Sequence, residues 1–255
     1  MPSTQPLQPP SRSRSWSRPA NGLGSDAFAI VWDGERLHGL NASGAAPAAY
    51  TLERRQGLRG TPPLGWDTVC VPGAVSAWQA LSERFGRLPF DALFEDAIRY
   101  ARDGLLVSPR IARLWQRAER NFADFPEFAA AFLPGGSAPG AGSRFAHPEL
   151  ATTLETIEAS NGESFYRGAL ADAIVGHARA AGGALVAADL AKHEPEWCGT
   201  VALDDSGITL HEIPPNGHGI AAQMALGILD HLPHREHDVD SAGSLHFQIE
   251  AMKLA

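Results

Sequence analysis

At 255 residues with 44% hydrophobic content, the chain can bury a sizeable core, either as one large domain or as two small ones. A net charge of −8 weighs against a nucleic acid or an anionic membrane as the main partner, and no apolar stretch approaches the roughly 20 residues needed to span a bilayer. The two cysteines, Cys70 and Cys198, lie far apart in apolar or strand-like contexts and read as small buried hydrophobes rather than as a disulfide or a catalytic thiol.

Residues 1–20 are rich in Ser, Pro and Arg and contain no acidic residue. They lack the apolar core of a secretory signal, and their prolines oppose the amphipathic helix of a transit peptide. The expectation is a disordered tail or a mis-called start, with the cytoplasm as the default location. Ala27–Trp32 is then an unbroken apolar run between Asp26 and Asp33, which predicts a strand covered on both faces. Asp33-Gly34 favours a two-residue turn with positive φ. Residues 36–41 return antiparallel and deliver the small-residue loop 41–47 to the far end of the hairpin, where a ligand could approach the backbone closely.

From Cys70 onward the chain reads as a series of punctuated helices. Pro72-Gly73 precedes Ala74–Phe85, where Val75, Trp78, Leu81 and Phe85 recur at helical spacing and Gly86 ends the pattern. Residues 90–103 carry Asp91, Glu95 and Asp96 early and Arg99 and Arg102 late, an order that complements the helix dipole, with Gly104 after the end. Ser108-Pro109 is an N-cap and first-turn proline opening a helix through Phe122, with Ile111, Leu114, Trp115 and Ala118 on one face. Residues 133–143 read as a surface connection. Helices are predicted over 148–160 and 168–181, stopped by Gly182-Gly183. Strands follow at 197–203 and 208–213 around the turn 204–207, then a helix over 220–232 and a last one over 244–255 with Leu245, Ile249 and Met252 on one face.

Strands at both ends of a helical middle, with no internal repeat, predict an α+β fold rather than alternating βαβ units. The glycines of Asn21-Gly22-Leu23-Gly24 precede their strand instead of following one, so a dinucleotide-binding fingerprint fails its own context.

The ordered segments Gly22-Leu-Gly-Ser-Asp26, Leu40-Asn-Ala-Ser-Gly-Ala-Ala-Pro47, Val71-Pro-Gly-Ala-Val-Ser-Ala-Trp78 and Phe85-Gly-Arg-Leu-Pro89 resemble the γ-glutamyltransferase family. So do Phe165-Tyr-Arg-Gly168, Asp189-Leu190, the stretch 210–219 and the closing Glu250-Ala-Met-Lys-Leu-Ala255. The resemblance runs from residue 21 to the end. It implies an N-terminal-nucleophile hydrolase fold, two stacked sheets between helical layers in an αββα sandwich, of which residues 21–255 would be a large-subunit portion. It further implies a self-cleaving precursor whose new N-terminal threonine is the nucleophile and whose α-amino group, with a pKa near ~8, is the base. That threonine would sit at a Thr-Thr-His-like junction well beyond the Glu250–Ala255 motif. Thr152-Thr153 sits inside an amphipathic helical pattern and is rejected as the nucleophile.

The implied reaction moves a γ-glutamyl group from glutathione or a related amide to water or an amine, with no metal or organic cofactor. The partners are then a small-molecule amide and the small-subunit portion of the same precursor, against which the apolar face of the last helix would pack. Family members that hydrolyse glutathione place an arginine in the loop after the second strand, a bidentate task for a carboxylate. Loop 41–47 has none. Asn41, Ser43 and Gly44 are the candidate substrate-binding residues there, able to offer neutral donors only, while Arg54 and Arg55 either reach back or form a solvated helix face. Asn216 and Gly217 are the other candidates, in the loop leading to a helix N-terminus where backbone N–H groups can meet an anion or merely complete a tight turn. An amidase acting on a small amide such as oxamate or on an acyl side chain, and a non-catalytic binding module, are the alternatives. His231, His234, His237, Asp238 and Asp240 supply metal-ligand types without a fixed geometry and read as a solvated loop.

Overall fold

The computed structural model describes residues 22–57 and 64–255, so the expectation for residues 1–20 lies outside them. The chain divides into two compact units. One holds the residues up to Asp26 together with Gly44–Glu194; the other holds Ala27–Ser43 and Pro195–Ala255. The mixture of helix and sheet agrees with the α+β expectation.

The second unit is built on β1 (Ala27–Trp32) and β2 (Leu37–Ala42), paired antiparallel with Ala27 opposite Ala42 and Trp32 opposite Leu37. The turn falls one residue later than the sequence suggests. Asp33 N donates to Arg36 O at 3.3 Å, leaving Gly34, at φ 110, and Glu35 as the two turn residues, a backbone region that only glycine enters cheaply. Asp33 Oδ1 accepts from the N–H groups of Glu35 and Arg36 at 2.8 and 2.9 Å, and these bonds, with the His38 ring at Oδ2, hold the carboxyl far below the usual carboxylate range.

The expectation that β1 is covered on both faces is corrected. Phe28, Ile30 and Trp32 are 42%, 38% and 60% exposed. The three alternate along β1 and so share one face of the sheet β1-β2-β5, and that face is open among the described residues. The predicted strand 197–203 also divides. Glu196–Trp197 (β5) pairs with Leu40 and Asn41 of β2. Gly199 then turns the chain with φ 69, and Val201–Asp205 (β6) pairs instead with Ile208–Glu212 (β7). Helix Gly219–Leu229 packs on that ribbon and on the last helix, Ala242–Leu254, through Ala225, Leu229 and Ala251. Gln223 of the first of these is buried and donates from Nε2 to Val201 O and Leu210 O. Leu245, Ile249 and Met252 remain 43%, 55% and 53% exposed, so the apolar face of the last helix is open among the described residues.

The first unit is helical. Leu52–Gly57 (α1) leads to Ala74–Phe85 (α2), whose predicted stripe buries Val75 and Trp78, each such burial contributing about 1.5–3 kcal/mol. The segment predicted as one helix over 90–103 is a short 3-10 turn, Asp91–Leu93, followed by Glu95–Asp103 (α3), where Glu95 and Asp96 occupy the first turn and Gly104 closes the end at φ 85. Leu105–Leu106 (β3) pairs with Arg144–Phe145 (β4). Between them Pro109–Asn121 (α4) is capped as expected, Ser108 Oγ accepting from Ile111 N at 3.3 Å. The connection 133–143 is preceded by a helix that periodicity missed, Pro126–Phe132 (α5), which seats Phe128 and Phe132 against Val107, Ala112, Trp115 and Phe145.

Pro148–Ala159 (α6), Glu163–Arg167 (α7), Ala169–Ala180 (α8) and Ala187–Ala191 (α9) complete this unit. Ile157, Leu185 and Leu190 are among its fully buried side chains. Numbered after these, the two helices of the second unit are α10 (Gly219–Leu229) and α11 (Ala242–Leu254). No described helix is long and apolar enough to cross a membrane.

Candidate functional site

Within the second unit the structure brings two sequence-predicted residues together. Asn41, 8% exposed, uses both ends of its amide: Oδ1 accepts from Ser43 N at 2.9 Å, and Nδ2 donates to Asn216 Oδ1 at 2.9 Å. The first bond folds the chain back as it leaves β2, and the second ties that bend to the loop after β7. Ser43 is half-buried, Asn216 exposed and Gly217 half-buried. Gly217 has nothing within 4 Å of the position a Cβ would take.

The N-terminus of α10 follows directly. Its cap, His218, makes no side-chain cap bond, but a carboxylate is already close: Glu212 Oε2 lies 2.2 Å from where a Cβ on Gly219 would stand.

In the first unit the other family-like segments meet around Gly44. This glycine is buried, and a Cβ on it would lie 1.8 Å from Val71 O; only glycine lets the two backbones touch here. Val71 N donates to Ala45 O at 3.1 Å, and Ala74 N donates to Ser25 O at 2.9 Å. Gly44 N points to Asp26 Oδ1 at 3.5 Å. Asp189, in the first turn of α9, accepts from Ala48 N and from Val186 N, both at 3.0 Å. Thus the segments 22–26, 44–48 and 70–74 are held to one another largely through backbone groups, and Gly44 is the position where that contact requires glycine.

Sequence reasoning missed the side chains that hold Pro72 and Gly73. Tyr166, 4% exposed, donates its hydroxyl to Pro72 O at 2.9 Å and accepts from Ser76 N at 3.0 Å. Ser76 Oγ donates to Gly73 O and lies 2.8 Å from His193 Nε2. Because the serine proton is spent on Gly73 O, the imidazole is the donor in the second bond, and the pair is a clamp rather than a nucleophile with its base. Burial lowers the His193 pKa, with Asp26 pulling the other way, and burial raises that of Tyr166. Tyr166 belongs to Phe165-Tyr-Arg-Gly168, so the motif marked it; nothing in the local pattern pointed to His193.

Two other expectations are corrected. Cys70 is exposed rather than buried, and Cys198 is only half-buried. Partial desolvation of its sulfur and the nearby Asp26 charge push the Cys70 thiol up, away from the thiolate form a nucleophile needs. Arg54 is neither a solvated face nor poised over the small-residue loop. Its Nε donates to Asp67 Oδ1 at 2.8 Å and its NH2 to Gly182 O at 2.7 Å.

Thr152 and Thr153 return their hydroxyls to Pro148 O and Glu149 O within α6. His234 Nδ1 lies 2.7 Å from Leu229 O, at the end of α10. Among the described residues no group of three or more His, Cys, Asp or Glu side chains is arranged to hold a metal ion.

Residues 17–255 match the family model described as Gamma-glutamyltranspeptidase. The chain belongs to the gamma-glutamyltranspeptidase family. It is 32% identical over 91% of its length to a glutathione hydrolase-like proenzyme of Bacillus subtilis, covering 45% of that protein. It is 35% identical over 92% of its length to the oxamate amidohydrolase proenzyme of Klebsiella pneumoniae, covering 46% of it. Among solved structures, the cephalosporin acylase from Bacillus halodurans superposes with a TM-score of 0.85 and 43% identity, over 92% of this chain and 45% of that one. The gamma-glutamyltranspeptidase of Pseudomonas nitroreducens does so with 0.83 and 27%, over 95% and 74%. The chain thus spans just under half the length of the first two proenzymes.

Proposed function

We propose that this chain is the large-subunit portion of a self-processing amide hydrolase and acyl transferase that moves a γ-glutamyl group from glutathione or a related amide to water or an amine. The observation that carries the reading is the family match over residues 17–255. It is supported by the way the motif segments fit one another, above all the Gly44 to Val71 backbone contact. In this reading the nucleophile is an N-terminal threonine released by cleavage beyond Ala255. Its hydroxyl attacks the amide carbon, its own α-amino group takes the proton, and that proton passes to the leaving amine. This chain contributes acyl-binding loops, with Asn41, Ser43, Asn216 and Gly217 of the second unit as the binding residues. The open faces of β1 and α11 are covered by the remainder of the same precursor.

One observation favours a second substrate class. The loop after β2 has no arginine, and the guanidinium of Arg54 is already committed to Asp67 and Gly182 O. An uncharged acyl side chain needs no such cation, and a small amide such as oxamate, whose carboxylate is bonded directly to its amide carbon, does not place that charge where the α-carboxylate of a γ-glutamyl group would reach.

The experiment is to express the precursor continuing past Ala255, confirm that it cleaves itself into two chains, and assay a γ-glutamyl anilide, oxamate and an acyl amide side by side. Turnover of the anilide supports the γ-glutamyl reading. Turnover of oxamate or the acyl amide alone replaces it with the second. A precursor that neither cleaves itself nor hydrolyses any of the three overturns both.

A further inference from the structure

The sequence contains three Asn-Gly pairs, Asn21-Gly22, Asn161-Gly162 and Asn216-Gly217. In such a pair the backbone nitrogen of the glycine can attack the asparagine side-chain carbon, because no Cβ hinders the approach. The fold treats the two fully described pairs in opposite ways. Asn161-Gly162 closes α6. Gly162 N donates to Ile157 O at 2.8 Å, Asn161 N donates to Glu158 O at 3.1 Å, and Glu163 N donates to Ser160 O at 3.0 Å. Both residues are held at positive φ, 48 and 85. The nitrogen that would attack is thus occupied, and the segment is bonded on either side.

Asn216-Gly217 lies in the turn between β7 and α10. Asn216 is exposed, and a Cβ on Gly217 would meet nothing within 4 Å. Among the described residues no acceptor takes the Gly217 N–H. The one strong contact of the Asn216 side chain is the bond that Asn41 Nδ2 donates to Oδ1 at 2.9 Å. That oxygen is the one on which negative charge builds when a nucleophile adds to the side-chain carbon, and a buried, fixed donor there stabilises the addition.

We propose that Asn216 is a site of spontaneous deamidation, assisted by Asn41. Hydroxide removes the Gly217 amide proton, and the nitrogen forms a bond to Asn216 Cγ. The Cγ–Nδ2 bond then breaks and ammonia leaves, giving a five-membered cyclic imide. Water opens the imide at either carbonyl, yielding aspartate or its β-linked isomer; the net change is consumption of one water and release of one ammonia. The product places a carboxylate beside Asn41 Nδ2, where the hydrogen bond becomes charge-assisted, and close to the positive end of α10.

The test needs only the folded chain. Trypsin separates the two asparagines into residues 193–235 and 145–167, each containing a single Asn. After incubation in mildly alkaline buffer, the fraction of each peptide carrying the mass of the acid and the isoaspartyl linkage is followed with time by mass spectrometry. Releasing the Gly162 N–H from its acceptor is an extra cost that the Gly217 N–H does not bear, so residue 216 is expected to react roughly tenfold faster than residue 161. In concentrated urea the ratio is expected to fall close to one, and Gly217→Ala, which the open surroundings accommodate, should slow residue 216 severalfold. Equal rates in the folded chain, a faster residue 161, a ratio that persists in urea, or a rate unchanged in Gly217→Ala would each overturn the proposal.

Discussion

The contact between Gly44 and Val71 can be tested by a single methyl group. A Cβ on residue 44 would sit 1.8 Å from Val71 O and 2.6 Å from Val71 C, both backbone atoms, against an ordinary contact distance of 3.4–4 Å. The two strands of chain must therefore separate by more than an ångström. Doing so strains the bond from Val71 N to Ala45 O, worth about 0.5–1.5 kcal/mol net, and adds an overpacking cost of about 1–3 kcal/mol. The expected loss for Gly44→Ala is about 2–4 kcal/mol. With a urea dependence of about 2 kcal/mol/M, the midpoint falls by roughly 1–2 M. Gly140→Ala is the matched control. Nothing lies within 4 Å of its Cβ position and its φ is not positive, so it is neutral or stabilises by about 0.4–1 kcal/mol through the unfolded chain. Both variants are measured by urea denaturation followed by circular dichroism. A Gly44→Ala midpoint indistinguishable from that of Gly140→Ala would refute the argument that close backbone contact selected glycine.

Tyr166→Phe keeps the ring in place but leaves Pro72 O and Ser76 N without their partner; a loss of about 1–3 kcal/mol is expected in the same denaturation assay, and a neutral substitution would show that the hydroxyl is not needed. His193 is expected to make stability pH-dependent. Its folded pKa lies below the ordinary value near 6.5 because burial disfavours the charged ring. The unfolded chain therefore binds more protons between the two values, so stability is full above the unfolded pKa and declines as pH falls toward the folded one. Between about pH 7.5 and about pH 5.5, wild type should lose more stability than His193→Gln; an equal loss excludes this residue as the source. Arg54→Ala removes a half-exposed ion pair to Asp67 and should cost at most about 1 kcal/mol. In the self-cleaved precursor it should leave the KM for a γ-glutamyl anilide unchanged, and a large rise in KM would place Arg54 on the substrate.

Local chemistry made most of the helices legible. Ser108-Pro109, the charge order from Glu95 to Arg102, and the stripe through Val75 and Trp78 each fix an element with information contained in a dozen residues. The errors have a common origin in packing and pairing. The run Ala27–Trp32 is equally apolar on both faces, and which face stays open is decided by what packs on the sheet, not by the run itself. Likewise, 197–203 looks continuous until Trp197 is claimed by Leu40 and Val201 by Glu212. The candidate site shows the same limit. Asn41 and Asn216 were each suspected from their loops, but the bond joining them spans 175 residues. The Ser76 and His193 clamp spans 117, and no periodicity carries information over such distances.

Under the proposed function, the geometry at Asn41 bears directly on substrate choice. Its carbonyl oxygen is spent on Ser43 N and one amide hydrogen on Asn216, so what it can still offer a ligand is a neutral N–H. Neutral hydrogen bonds contribute about 0.5–1.5 kcal/mol, whereas those involving a charged partner contribute about 1.5–3 kcal/mol, and a bidentate guanidinium adds geometric selection for a carboxylate as well. A loop of this kind discriminates by length and shape more than by charge. The asparagine that shapes the bend after β2 is thus ill-suited to be the sole anchor of an α-carboxylate. That is the physical reason the proposed substrate is either a γ-glutamyl amide or a smaller or uncharged acyl group, while the backbone contacts at Gly44, Val71 and Ser25 hold the scaffold in either case.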